Sequence, residues 1–176
     1  MENKEINIDE VLAKLVKIAL FEDFDVTSEN DKRILKAVYE NTKIKNYKAG
    51  EVIIKEGDTG DEFYILSSGS VHISRNTPAG DSIALADLDA SMNIFFGETA
   101  LISNDTRSAT VSALTDCRLI VLSSRKFHEI CREEPVLGYR VLTVLARRMA
   151  KTIRDTNRDK ATLYEALFNE ISGGEY

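Results

Sequence analysis

Glu51-Val52-Ile53-Ile54-Lys55, Glu62-Phe63-Tyr64-Ile65-Leu66 and Val71-His72-Ile73-Ser74-Arg75 are three short β-type runs, with breaks at Glu56-Gly57-Asp58 and Ser67-Ser68-Gly69. Each run is too short for a helix of useful length, and each break carries turn-forming residues. The same texture extends outward, with strand-like stretches at Ile83–Ala86, Ser108–Ala113 and Arg118–Leu122 and further breaks at Gly50 and Pro78-Ala79-Gly80. Many short strands at this spacing predict an antiparallel β-sandwich or jelly roll over residues 43–134, not a parallel sheet.

The flanks read differently. Ile8, Val11, Leu12, Leu15, Val16 and Ile18–Leu20 recur at helical spacing, Phe21 and Phe24 follow in an acidic turn, and Ser28 is placed to cap a helix holding Ile34, Leu35, Val38 and Tyr39. Residues 1–42 are thus expected to be helical. After the strands, Ser123 or Ser124 caps a helix through Phe127, Ile130 and Cys131 that must stop before Pro135. Pro135 suits the first turn of a long helix over Val136 to about Glu170, and Ser172–Tyr176 reads as a frayed tail. The whole is an α+β, mainly β, single domain of three parts: 1–42, 43–134 and 135–176.

Composition narrows the function classes. With 23 Lys+Arg against 29 Asp+Glu the net charge is −6, the opposite of a dedicated nucleic-acid binder, and 43% hydrophobic residues suffice for a core. Two cysteines without a CxxC pair argue against a disulfide framework or a Cys-rich zinc site. No secretory signal opens the chain and no run approaches a membrane span, so the expectation is a soluble, cytoplasmic protein.

One segment breaks the strand pattern: Phe96-Gly97-Glu98-Thr99-Ala100-Leu101-Ile102, a polar loop at Ser103–Thr106, then Arg107-Ser108-Ala109-Thr110-Val111. Gly97 followed by Glu98–Ile102 reads as a turn opening a short helix whose first N–H groups can meet an anion. A guanidinium facing it can grip a phosphate with two parallel hydrogen bonds, and the Glu98 carboxylate can accept hydroxyl protons. On residue types alone a sugar phosphate fits, as does a plain surface hairpin in which Glu98 pairs with Arg107.

These sixteen residues resemble the phosphate-binding cassette of cyclic-nucleotide-binding domains, F-G-E-x-A-L-I, a short loop, then R-(S/T/A)-A-T-V. The likeness extends to Tyr47–Ile53, Glu56–Leu66 and Ser68-Gly69-Ser70-Val71, and spans roughly residues 19–156. It implies a double-stranded β-helix (cupin-like jelly roll) with N-terminal helices and a long C-terminal helix. It also implies that Arg107 pairs with the cyclic phosphate and that Glu98 accepts the ribose 2′-hydroxyl. Backbone groups of Gly97, Glu98, Thr99 and Ala100 would complete the cradle, and Ser108 would add a hydroxyl.

Ser108 alone points to cGMP, but the bacterial cAMP-receptor branch also carries Ser there. Leu145-Ala146-Arg147-Arg148-Met149-Ala150-Lys151-Thr152 resembles that branch's long helix. The resemblance assigns Thr152 to the exocyclic amine of adenine and Arg148 to the same base-side helix, which favours cAMP over cGMP. Ile153 departs from that branch, which has a hydroxyl residue there for the partner subunit's ligand.

Leu142, Leu145, Met149, Thr152 and Thr156 follow a heptad, the basis for expecting a homodimer through this helix. The competing arrangement folds the helix onto its own sandwich through Val141, Val144 and Leu145. No DNA-binding, kinase or channel segment is readable, so regulation is expected to pass through an unidentified protein effector, without direct DNA binding. The expected ligand is a cyclic nucleotide, with no cofactor and no metal. His72 and His128 lack metal-ligand spacing, and no nucleophile arrangement is recognisable, so no enzyme is expected. The rival to a sensor is a ligand-independent interaction or dimerisation module on the same fold. A pocket adapted to another metabolite is disfavoured by the Glu98 and Arg107 pair.

Overall fold

A computed structural model describes residues 8–77, 79–103 and 106–172. Pro78, Asn104, Asp105 and the tail 173–176, each singled out above, lie outside the described residues, as does 1–7. The elements run α1 (Ile8–Leu15), a 3-10 turn (Ala19–Phe21), α2 (Glu29–Glu40), then β1 (Lys43–Tyr47), β2 (Val52–Ile54), β3 (Glu62–Ser68), β4 (Ser70–Asn76) and β5 (Ser82–Asp89). A 3-10 turn (Ala90–Met92) leads to β6 (Phe95–Phe96) and a second one (Glu98–Leu101) to β7 (Thr110–Ala113). The chain closes with β8 (Cys117–Ser123), α3 (Ser124–Glu133) and α4 (Pro135–Ser172).

The strands form two antiparallel four-stranded sheets, β1-β8-β3-β6 and β2-β7-β4-β5, the expected jelly-roll sandwich. β3 explains why Phe63-Tyr64-Ile65-Leu66 shows no alternation: both of its faces are covered. Phe63 and Ile65 join Phe95 and Leu122 under the helices. Tyr64 and Leu66 meet Phe96, Leu119 and Val121 between the sheets, opposite Ile54, Val71 and Val111. β6 was not foreseen. It is two residues long, paired with Tyr64 and Ile65 of β3, and its Phe95 and Phe96 fill one core each.

The helix ends obey the capping chemistry read from the sequence. Ser28 accepts from the Asp31 N–H and Ser123 from the Lys126 N–H. α3 stops at Glu133 and Pro135 opens α4. Of the 38 residues of α4, only the root is packed: Leu137, Gly138, Val141, Val144 and Leu145 are buried. Arg140 ties this root to α2 through the buried Asp31 carboxylate at 2.7 Å, and it lies over the Phe24 ring at 4.7 Å.

The heptad expectation therefore needs a correction. Leu145 is 2% exposed within its own domain, so it is not available to a continuous seam, whereas Leu142 and Met149 are open. Beyond Ala146 every side chain except the half-buried Asp155 is exposed through Ser172, a stretch of about 40 Å. Among the described residues no helix is long and apolar enough to cross a membrane.

Candidate functional site

Arg107 sits where the chain enters β7, and the β2–β3 loop encloses it. Its N–H donates to the Asp58 carbonyl and its own carbonyl accepts from Gly57, both at 2.9 Å. The side chain turns inward and is 8% exposed as a whole residue. Nη2 donates to the Glu62 carbonyl at 2.7 Å and Nη1 to the Gly97 carbonyl at 3.3 Å. A guanidinium has five N–H donors, so three remain for an anion while these two bonds hold its plane. The group borders a cavity of about 170 Å³ lined by Ile54, Asp58, Thr59, Gly60, Glu62 and Tyr64 among others.

Gly97 stands in the left-handed region at φ 73°, which any other residue would strain, and opens the 3-10 turn Glu98–Leu101. The Ala100 N–H is spent on the Gly97 carbonyl at 3.1 Å, so that donor is not free for the cradle the sequence suggested. Thr99 and Ser108 are exposed beside the site, and Glu98 is half-buried.

Glu98 and Arg107 do not pair with one another, which removes the plain-hairpin reading. The Glu98 carboxylate instead faces Arg148 of α4 at 4.0 Å, too long for a direct hydrogen bond. Arg148 lies over the Phe95 ring at 4.2 Å. One cation thus joins the cassette, the core and the long helix. Thr152 is exposed one helical turn farther along α4.

Behind the site, Glu62 carries a second layer. Lys45 Nζ donates to both of its carboxylate oxygens at 2.7 Å, and the Tyr64 hydroxyl donates to it at 2.7 Å. Burial opposes the Glu62 charge, but the bonds from Lys45 and Tyr64 outweigh it and hold the carboxyl below its usual range. Burial and the same bond push the Tyr64 phenol upward. A depressed carboxylate contributes stability above its unfolded pKa and loses it as pH falls through the folded value. Glu62→Gln is therefore expected to flatten the loss of stability below about pH 4.3, the unfolded glutamate value, in urea titrations taken from pH 7 to 3.

His72 Nδ1 bonds Asp87 at 2.6 Å on an exposed sheet face. Burial pushes the Cys131 thiol up to about 11 and raises that of Cys117, the reverse of what a nucleophilic thiolate requires. Among the described residues no cluster of three or more His, Cys, Asp or Glu side chains is suited to a metal.

Comparison with known proteins agrees with this architecture. Residues 44–134 match the family described as cyclic nucleotide-binding domain, and the chain belongs to that family. It is 36% identical over 89 residues to a cAMP-dependent protein kinase regulatory subunit from Dictyostelium discoideum, covering 49% of this chain and 27% of that one. It is 30% identical over 120 residues to the cyclic AMP receptor protein of Thermus thermophilus, covering 68% and 54% respectively. Among solved structures it resembles the Thermus thermophilus catabolite activator protein, with TM-score 0.69 and 26% identity over 84% of this chain and 65% of that one. The regulatory domain of Toxoplasma gondii PKA with cAMP matches at TM-score 0.62 and 28% identity over 73% and 46%. Matched relatives are longer, and the chain covers from 16% to 54% of their length.

Two contributors escaped the sequence reading. Gly60 and the Glu62 carbonyl shape and orient Arg107, yet neither offers a functional side chain to the guanidinium. The only hint was a loop with glycines at both 57 and 60.

Proposed function

We propose that the chain is a non-enzymatic cyclic nucleotide sensor that takes cAMP in preference to cGMP and regulates a separate partner chain through α4. The observation that carries the reading is the inward guanidinium of Arg107, anchored with donors to spare by two carbonyls, one of them that of Gly97, the residue that opens the turn bearing Glu98. A cyclic phosphate carries one negative charge, which one desolvated Arg balances. On this reading Gly97, Glu98, Thr99, Ala100 and Ser108 serve the phosphate and ribose, with the Ala100 N–H already spent within the turn, and Arg148 and Thr152 serve the base.

Signal transmission follows from the shared carboxylate. Glu98 faces Arg148, so a ribose hydroxyl that donates to Glu98 competes for the charge that steadies α4 on the cassette. A ligand can move the helix only by interacting differently with two helix positions, and this contact supplies such a difference. Dimerisation is part of the same reading, through exposed Leu142, Met149 and Ile153 and not through the buried Leu145.

Calorimetry with cAMP and cGMP tests the proposal. Glu98→Gln is expected to weaken cAMP by roughly tenfold or more, the worth of a hydrogen bond to a charged acceptor. It should weaken 2′-deoxy-cAMP far less, and equal losses would remove the hydroxyl role. The second reading, a ligand-independent interaction module, is favoured by the long exposed α4, and absence of any nucleotide binding by the wild-type chain would select it.

A further inference from the structure

Gly60 lies against the Nε–Nη2 edge of the Arg107 guanidinium. A Cβ built on it would stand 2.8 Å from Nη2, 2.9 Å from Nε and 3.3 Å from Cζ, three atoms of the same guanidinium. From the other side, a Cβ on Gly97 would stand 2.9 Å from Nη1. The group is therefore inserted edge to edge in a slot between two glycines, Gly60 and Gly97. The carbonyls of Glu62 and Gly97 fix its rotation within that slot.

The two glycines differ in an informative way. Gly97 has a positive φ, so substitution there strains the backbone whatever the space. Gly60 is absent from the positive-φ positions, so its backbone tolerates an L side chain. Turn geometry does not require glycine at 60; room for the guanidinium does. The three atoms nearest to a methyl group there all belong to the far end of a flexible side chain, which yields before the backbone does.

We propose that Gly60 is a positioning residue for ligand binding: the missing Cβ makes the slot that presents the Arg107 fork to the phosphate in a fixed plane. This rests on the reading of Arg107 as the phosphate ligand and names the residue that makes its geometry possible. Two parallel hydrogen bonds to a phosphate need the fork already oriented, and a displaced guanidinium offers charge without alignment.

The test is Gly60→Ala in the full chain, with two readouts. Without nucleotide, the Nη protons of Arg107, assigned by their loss in Arg107→Lys, should be resolved in NMR spectra of the wild type, reporting hindered rotation. They should average in Gly60→Ala. With cAMP, calorimetry should show a loss of at least about tenfold, the worth of one charge-assisted hydrogen bond. In an Arg107→Lys background, adding Gly60→Ala should cost little further affinity, because the slimmer ammonium does not fill the slot. Unchanged Nη signals together with wild-type affinity overturn the proposal. So does loss of folding in both Gly60→Ala and the double variant, since that would place the clash in the backbone. A wild type that shows the hindered signals and binds no cyclic nucleotide leaves the slot standing and removes the sensor reading instead.

Discussion

Arg107→Lys is expected to lower cAMP affinity by roughly thirtyfold to several thousandfold, the equivalent of about 2–5 kcal/mol for an incompletely matched desolvated charge. Lysine keeps the charge and loses everything that fixes it. The guanidinium reaches the Glu62 and Gly97 carbonyls at once and retains three donors. An ammonium has three donors on one atom, and two are consumed if it satisfies the same carbonyls. It also leaves part of the slot between Gly60 and Gly97 unfilled. Isothermal titration of wild type and variant measures the difference directly, and near-equal affinity would show that charge alone suffices.

The sandwich was legible because its strands are short and its breaks are chemically explicit. β3 was found as a strand, although burial on both faces erased its alternation. β5 proved longer than the Ile83–Ala86 run, reaching from Ser82 to Asp89, since hydrogen bonding to β4 extends it over residues of low strand propensity such as Asp87 and Asp89. β6 was missed because two residues carry no period. Ser28, Ser123 and Pro135 were read correctly because each satisfies a local rule of helix termini.

At the site, the side chains were legible and the backbone was not. Glu98 and Arg107 could be nominated from a motif. That a carbonyl at 62 aims at the guanidinium, or that position 60 must lack a Cβ, depends on how a loop closes in space. Arg148 illustrates the middle case. Its nomination came from resemblance, while its position between Glu98 and the Phe95 ring is set by how α4 lies in space, which no local rule foretells. The functional coupling proposed here therefore depends on a contact between residues fifty positions apart in the chain.

α4 divides into a locked root and a free shaft, and one pair of substitutions separates them. Leu137 is 0% exposed in the core it shares with Ile34 and Leu35 of α2 and Phe127 and Ile130 of α3, so Leu137→Ala is expected to cost about 2–5 kcal/mol, the lost transfer energy plus the cavity left behind. Urea unfolding should show that loss at every protein concentration. Ile153 is 58% exposed on the same helix, so Ile153→Ala should change the stability of a dilute monomer by no more than about 0.5 kcal/mol. The shaft is too long and too unsupported to gain much from its own domain, since isolated helical segments are marginal in water. A loss in Ile153→Ala that grows with protein concentration then measures a second copy covering the shaft, because association stabilises by mass action. Concentration-independent behaviour in both variants would leave the shaft to a different chain, and the exposed stripe through Leu163, Leu167 and Ile171 would be the surface that chain must cover.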